Sequence, residues 1–118
     1  MALQIFGHRK SKDTRKAERF FKERGISYQF VDLREIYMSM GELKSMVRAA
    51  GGLEELLDPD TKERDAYAMV THMVGEQQLD YIIEVPEVLK LPLVRYNGRV
   101  AVGADEKTWG EFARQERK

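Results

Sequence analysis

The sequence predicts an α/β domain on a four-stranded mixed sheet, in the order β-α-β, helical insertion, β-β-α. Three observations predict it. A short apolar run closed by glycine passes directly into an amphipathic stretch and then into a second β-rich run. About fifty residues of helical pattern follow. The chain then returns to β signals around an Asn-Gly pair and closes on a helix.

Taken in order, Leu3 to Phe6 forms the first strand and Gly7 begins a turn. Ser11 is the expected N-cap of a helix running to Arg24, with Asp13 in its first turn and Gly25 as its stop. Ala17, Phe20, Phe21 and Arg24 fall on one face of it. Ile26 to Leu33 (ISYQFVDL) carries strand chemistry, so the opening unit is βαβ with parallel strands, expected at the centre of the sheet. Ser39 and Glu42 form a capping-box pattern for a helix with Leu43, Met46, Val47 and Ala50 inward, ended by Gly51-Gly52. Leu53 to Leu57 is a short turn stopped by Asp58-Pro59-Asp60, and a helix over roughly Lys62 to Met73 follows, with Ala66, Met69, Val70 and Met73 at helical spacing. Gln78 to Glu84 and Pro86 to Lys90 supply two more short pieces. Leu93 to Tyr96 and Arg99 to Val102 flank Asn97-Gly98 as a hairpin, and Asp105 caps a last helix burying Trp109 and Phe112. The expectation is one domain over residues 1–118, with the helical insertion at about 39–91.

Charged residues make up 34% of the chain, but twenty Lys and Arg balance twenty Asp and Glu, which argues against a general attraction to nucleic acid or anionic lipid. A local basic patch remains at His8, Arg9, Lys10, Lys12, Arg15 and Lys16. The absence of cysteine excludes disulfides, thiolate metal sites and thiol catalysis. With two histidines, a metal site would depend on carboxylates, and no metal-ligand spacing is recognisable. The N-terminal apolar run is too short for a signal or membrane segment, so a cytoplasmic location is expected.

Four stretches (QIFGHRKSKDTRKAERFF, GISYQFVDL, MSMGELKSMV and LPLVRYNGRVAVGADEKTW) resemble, in order, the arsenate reductase (ArsC) and Spx-type family of thioredoxin-like, glutaredoxin-like proteins. The resemblance implies that Pro92 is the family's cis-proline, its backbone brought beside the first helix's N-terminus; the residues alone favour an ordinary trans proline opening a strand. It also implies a thiol site at the turn into the first helix, with Ser11 at the nucleophilic cysteine's position and Thr14 at that of the second cysteine of Spx-type members. Serine is too weak an acid to be ionised by a helix terminus and cannot form the disulfide intermediates of reduction. Gly7 aligns with the family's histidine, and His8 falls one place later. The three oxyanion-binding arginines have no counterpart: Asp58 and Asp60 lie near the first position, Leu91 is at the second and Gly103 at about the third.

The resemblance therefore implies a pseudoenzyme of an oxidoreductase family, acting as a protein-binding or regulatory module, without a cofactor. RNA polymerase's α-subunit is the partner implied by the Spx-type branch, with no direct nucleic acid and no membrane. Were position 11 naturally cysteine, the alternative would be a thiol-dependent, glutathione- or glutaredoxin-coupled reductase, with glutathione as cosubstrate.

For the turn itself two readings stand, a plain helix cap or an anion- or partner-binding surface made by His8, Arg9, Lys10, Ser11, Lys12 and Asp13 with Pro92 and Arg95. A Ser-His catalytic pair with His8 or His72 lacks a supporting motif, and His72 is expected to be partly buried. Met38, Met40, Met46, Met69 and Met73 read as core filler or, with Tyr67 and Tyr81, as an adaptable partner surface.

Overall fold

The structure, a computed structural model, describes residues 2–117. Strand β1 (Leu3–Gly7), helix α1 (Lys12–Glu23) and strand β2 (Tyr28–Asp32) form the opening unit. Helices α2 (Met40–Ala50), α3 (Arg64–Thr71) and α4 (Gly75–Glu84), with one-turn 3₁₀ segments at Leu53–Glu55 and Pro86–Val88, make the helical segment. Strands β3 (Leu93–Tyr96) and β4 (Arg99–Val102) and helix α5 (Glu106–Glu116) complete the chain. Among the described residues no helix is long and apolar enough to cross a membrane.

Strand order is β2-β1-β3-β4. β1 pairs parallel with β2, Ile5 opposite Phe30, and antiparallel with β3, Ile5 opposite Val94. The parallel pair is thus not central, because the hairpin enters on the free side of β1 and leaves β2 at an edge. The alternation of β1 divides the core. Leu3 and Ile5 join Val94, Tyr96 and Ala101 beneath α1 and α5, where Trp109 is fully buried with its ring centroid 5.4 Å from that of Phe20. Phe6 and Leu93 point to the other face, packing with Met38, Leu43, Met46, Val70 and Ile82 of the helical segment.

The expected terminators act as their chemistry dictates. Ser39 Oγ accepts from the Glu42 amide at 3.0 Å while the Glu42 carboxylate accepts from the Ser39 amide at 3.0 Å, a complete capping box. Asn97 (φ 51°) and Gly98 (φ 80°) supply the left-handed pair that a two-residue hairpin turn needs. Asp105 caps α5 by accepting from the Thr108 amide.

Some expectations are corrected. α3 is shorter than the pattern suggested, and α4 begins at Gly75. His72 is exposed at the end of α3, its Nδ1 2.8 Å from the Ala68 carbonyl, and Met69 on the same helix is also exposed. A helix of only two turns buries little more than Ala66 and Val70, so the apolar stripe is narrower than its sequence period. The methionines divide accordingly: Met38 and Met46 are core, Met69 is not. Arg24 leaves the buried face of α1, its guanidinium lying over the Phe20 ring at 3.6 Å.

Candidate functional site

The β1–α1 turn determines what stands at the mouth of the sheet. Ser11 takes an extended conformation, donates its amide to the His8 carbonyl at 3.0 Å, and accepts from the Thr14 amide at 3.2 Å through Oγ. That bond caps α1 and leaves the Lys12 and Asp13 amides as the first-turn donors without an intrahelical carbonyl. Among the described residues Ser11 Oγ has no hydrogen bond to either histidine, so no nucleophile-base pair exists there.

This turn faces the helical segment across a cleft of about 440 Å³. Its walls carry the carboxylates of Asp13, Asp58, Asp60, Glu63 and Glu87 against the cations of Lys10, Arg34 and Lys62, with His8 and Ser11 between them. Arg34 Nε lies 3.6 Å from Glu87 Oε2, so one of the three cations is already partnered. Thr61 is buried in the same wall and donates its hydroxyl to the Glu87 carbonyl at 2.7 Å. His8 is held below the ordinary histidine pKa, first by burial and then by the Arg34 charge; its Nδ1 is buried without a hydrogen-bond partner. A neutral imidazole is therefore the resting form at pH 7.

A second hollow of about 420 Å³ shares Asp13, Asp58, Asp60 and Leu91 with the cleft and extends to Lys90 and Gly103. The fold thus gathers at one place the three positions that the resemblance assigns to oxyanion-binding arginines. Two aspartates stand near the first, and a leucine and a glycine at the second and third. Pro92 follows a cis peptide bond from Leu91, as the resemblance implies, and is buried, with its carbonyl accepting from the Gly103 amide at 2.9 Å.

Of the residues named from the sequence, His8, Lys10, Ser11 and Asp13 line the cleft together. Arg9, Lys12, Pro92 and Arg95 do not. Arg9 turns toward the β2 edge, 3.4 Å from Asp32 Oδ2 and 4.9 Å from the Phe30 ring centre. Arg95 lies on β3, the neighbour of β1, opposite Gln4 and away from the turn; it donates Nε and Nη2 to Gln4 Oε1 at 2.9 and 2.7 Å, with Glu42 Oε2 3.7 Å off. Sequence reasoning missed Arg34, Thr61, Lys62 and Glu87. The one available signal was the density of charge around Asp58-Pro59-Asp60, read as a helix stop and as the wrong sign for an anion, not as the wall of a cleft.

Solved structures share this architecture over almost the whole chain. An arsenate reductase from Vibrio cholerae superposes with a TM-score of 0.79 at 19% identity, covering 95% of this chain and 98% of that one. The chain has the arsenate reductase-type fold. An arsenate reductase (ArsC) related protein from Brucella melitensis matches at TM-score 0.66 and 17% identity, over 95% of this chain and 94% of that one. In sequence, the chain is 27% identical over 114 residues to the global transcriptional regulator Spx 2 of Oceanobacillus iheyensis, covering 95% of this chain and 84% of the regulator. No protein-family model matches it.

Proposed function

We propose that this ArsC-type chain is a non-catalytic protein-binding module that acts in transcription regulation in the cytoplasm, with the C-terminal domain of RNA polymerase's α-subunit as its partner. One observation carries the non-catalytic part. The positions where the resemblance expects a thiolate and three arginines converge, and they hold a capping serine, Asp58 with Asp60, Leu91 and Gly103. An oxyanion entering there would meet more carboxylates than cations, with no thiol to react with it. Similarity to a transcriptional regulator along 95% of the chain supports the regulatory part.

Calorimetric titration into this chain of the polymerase domain, purified on its own, tests the partner. Binding weakened about tenfold by Lys10→Glu, at the cleft wall, is expected, since a rim charge pair contributes at about that level. Absence of binding to the wild-type chain would overturn this partner. Ser11→Cys tests the non-catalytic reading: its thiol should show no turnover with arsenate or with glutathione mixed disulfides, and turnover of either would refute it.

A further inference from the structure

The neutral total conceals an uneven distribution of charge. Residues 39–91 hold eleven carboxylates and five Lys or Arg, whereas the rest of the chain holds nine carboxylates and fifteen Lys or Arg. Five of those fifteen cations lie on α1, with three carboxylates. Lys12, Arg15, Arg19 and Lys22 follow one another at intervals of three, four and three residues, so they form one row along the helix, about 15 Å from end to end. All four are exposed. They lie opposite the face on which Thr14, Ala17, Phe20 and Phe21 are buried, so packing fixes the direction of the row.

Among the described residues none of the four has a carboxylate within ion-pair distance. Arg15 donates Nη1 to the Arg9 carbonyl at 2.8 Å, which steadies its guanidinium without neutralising it. The neighbouring cation that does have a partner, Lys16, is 3.0 Å from Glu106 of α5 and stands beside the row. Glu18 is engaged with the Tyr28 hydroxyl at 2.9 Å, and Glu23, which lines a hollow with Arg19, Lys16 and Glu106, is not within ion-pair distance of Arg19. A helix normally offsets such a row with acidic residues at the same spacing. Here Glu18 and Glu23 stand at that spacing from Arg15, Lys22 and Arg19, yet among the described residues neither comes within ion-pair distance of the row.

We propose that the outer face of α1 is a docking surface for an acidic, helix-forming segment of a protein partner, its carboxylates spaced at three- and four-residue intervals. The proposal rests on the protein-binding reading above but concerns a different face from the cleft. A protein segment is favoured over nucleic acid because the sequence pI is about 6.8 and the row is one side chain wide. A polyanion binder presents a broad basic surface and a high pI.

Fluorescence anisotropy with a labelled alanine-based helical peptide carrying glutamates at those intervals tests it. Its glutamine counterpart and a short DNA duplex serve as competing probes. The glutamate peptide should bind the wild-type chain, weaken with added salt, and bind about tenfold more weakly to the Arg15→Gln, Arg19→Gln, Lys22→Gln variant. Glutamine keeps the helix propensity of the residues it replaces, and a urea melt checks that the variant is folded. Arg48→Gln on α2 should bind like wild type. Equal affinity of the triple variant, no binding by wild type, or tighter binding of duplex DNA than of the glutamate peptide overturns the proposal. The titration with the polymerase domain is read separately: if it succeeds while the peptide fails, only the α1 surface is lost.

Discussion

Thr14 fills the space that any side chain at position 7 would need. A Cβ built on Gly7 would overlap Thr14 Oγ1 and lie 2.8 Å from Thr14 Cγ2, contacts that only a shift of α1 against β1 could relieve. Thr14 is fully buried with its hydroxyl unpartnered, so it cannot swing away without opening the junction. Glycine at the end of β1 is therefore a steric requirement of threonine in the first turn of α1. The pair joins two of the positions at which the chain departs from the family it resembles, and it explains why a histidine at position 7 is incompatible with this turn.

Gly7→Ala should destabilise the fold by about 1–3 kcal/mol through overpacking, read as a lower urea midpoint. Thr14→Ala removes both clashing atoms, so the double variant should recover at least about 0.5 kcal/mol relative to additivity. Strict additivity would show that the two sites do not meet.

Ser11→Ala should lower stability by about 1 kcal/mol, the usual worth of an N-cap side chain, and Ser11→Asp should restore most of it. Thermal unfolding followed by far-UV circular dichroism measures both. A fully stable Ser11→Ala would mean that the cap bond contributes nothing.

His8 predicts an acid sensitivity. Its folded-state pKa lies below the unfolded value of 6.5, so the unfolded chain binds the extra proton and stability is lost as pH falls from about 6.5 toward the folded pKa. Above pH 6.5 the histidine contributes no slope. Urea midpoints for wild type and His8→Gln between about pH 5 and pH 8 should converge at the acid end, and imidazole chemical shifts should titrate below the free-histidine range.

Arg95→Ala should cost about 1–2 kcal/mol, because it removes two charge-assisted donors from Gln4 and bares the Phe6 ring that the guanidinium covers at 5.5 Å. Binding of the polymerase domain should be unaffected, since Arg95 lies outside the cleft. A selective loss of binding with stability intact would return Arg95 to the partner surface.

Local chemistry made most of the fold legible. The Ser39–Glu42 box, the Asn97-Gly98 turn, the Asp105 cap and the Ser11 cap are all bonds between residues at most four apart, and sequence order alone places such partners together. The strand order is less local. That β2 is an edge and β1 pairs antiparallel with β3 depends on which side of β1 the hairpin enters, and no short-range pattern records that.

The sequence by itself determined most of the elements, the absence of a thiol and the serine cap at the turn, because each is a property of one residue or of a few neighbours. Only the tertiary structure decided which charges share a space. It brought Asp58, Asp60, Leu91 and Gly103 to the first turn of α1 from three separate parts of the chain, and it sent Arg95 to Gln4 instead. It also separated Met69 from the core and left one side of α1 with cations and no partners among the described residues. Electrostatic neighbours are set by distance through space, whereas helix caps and hairpin turns are set by distance along the chain.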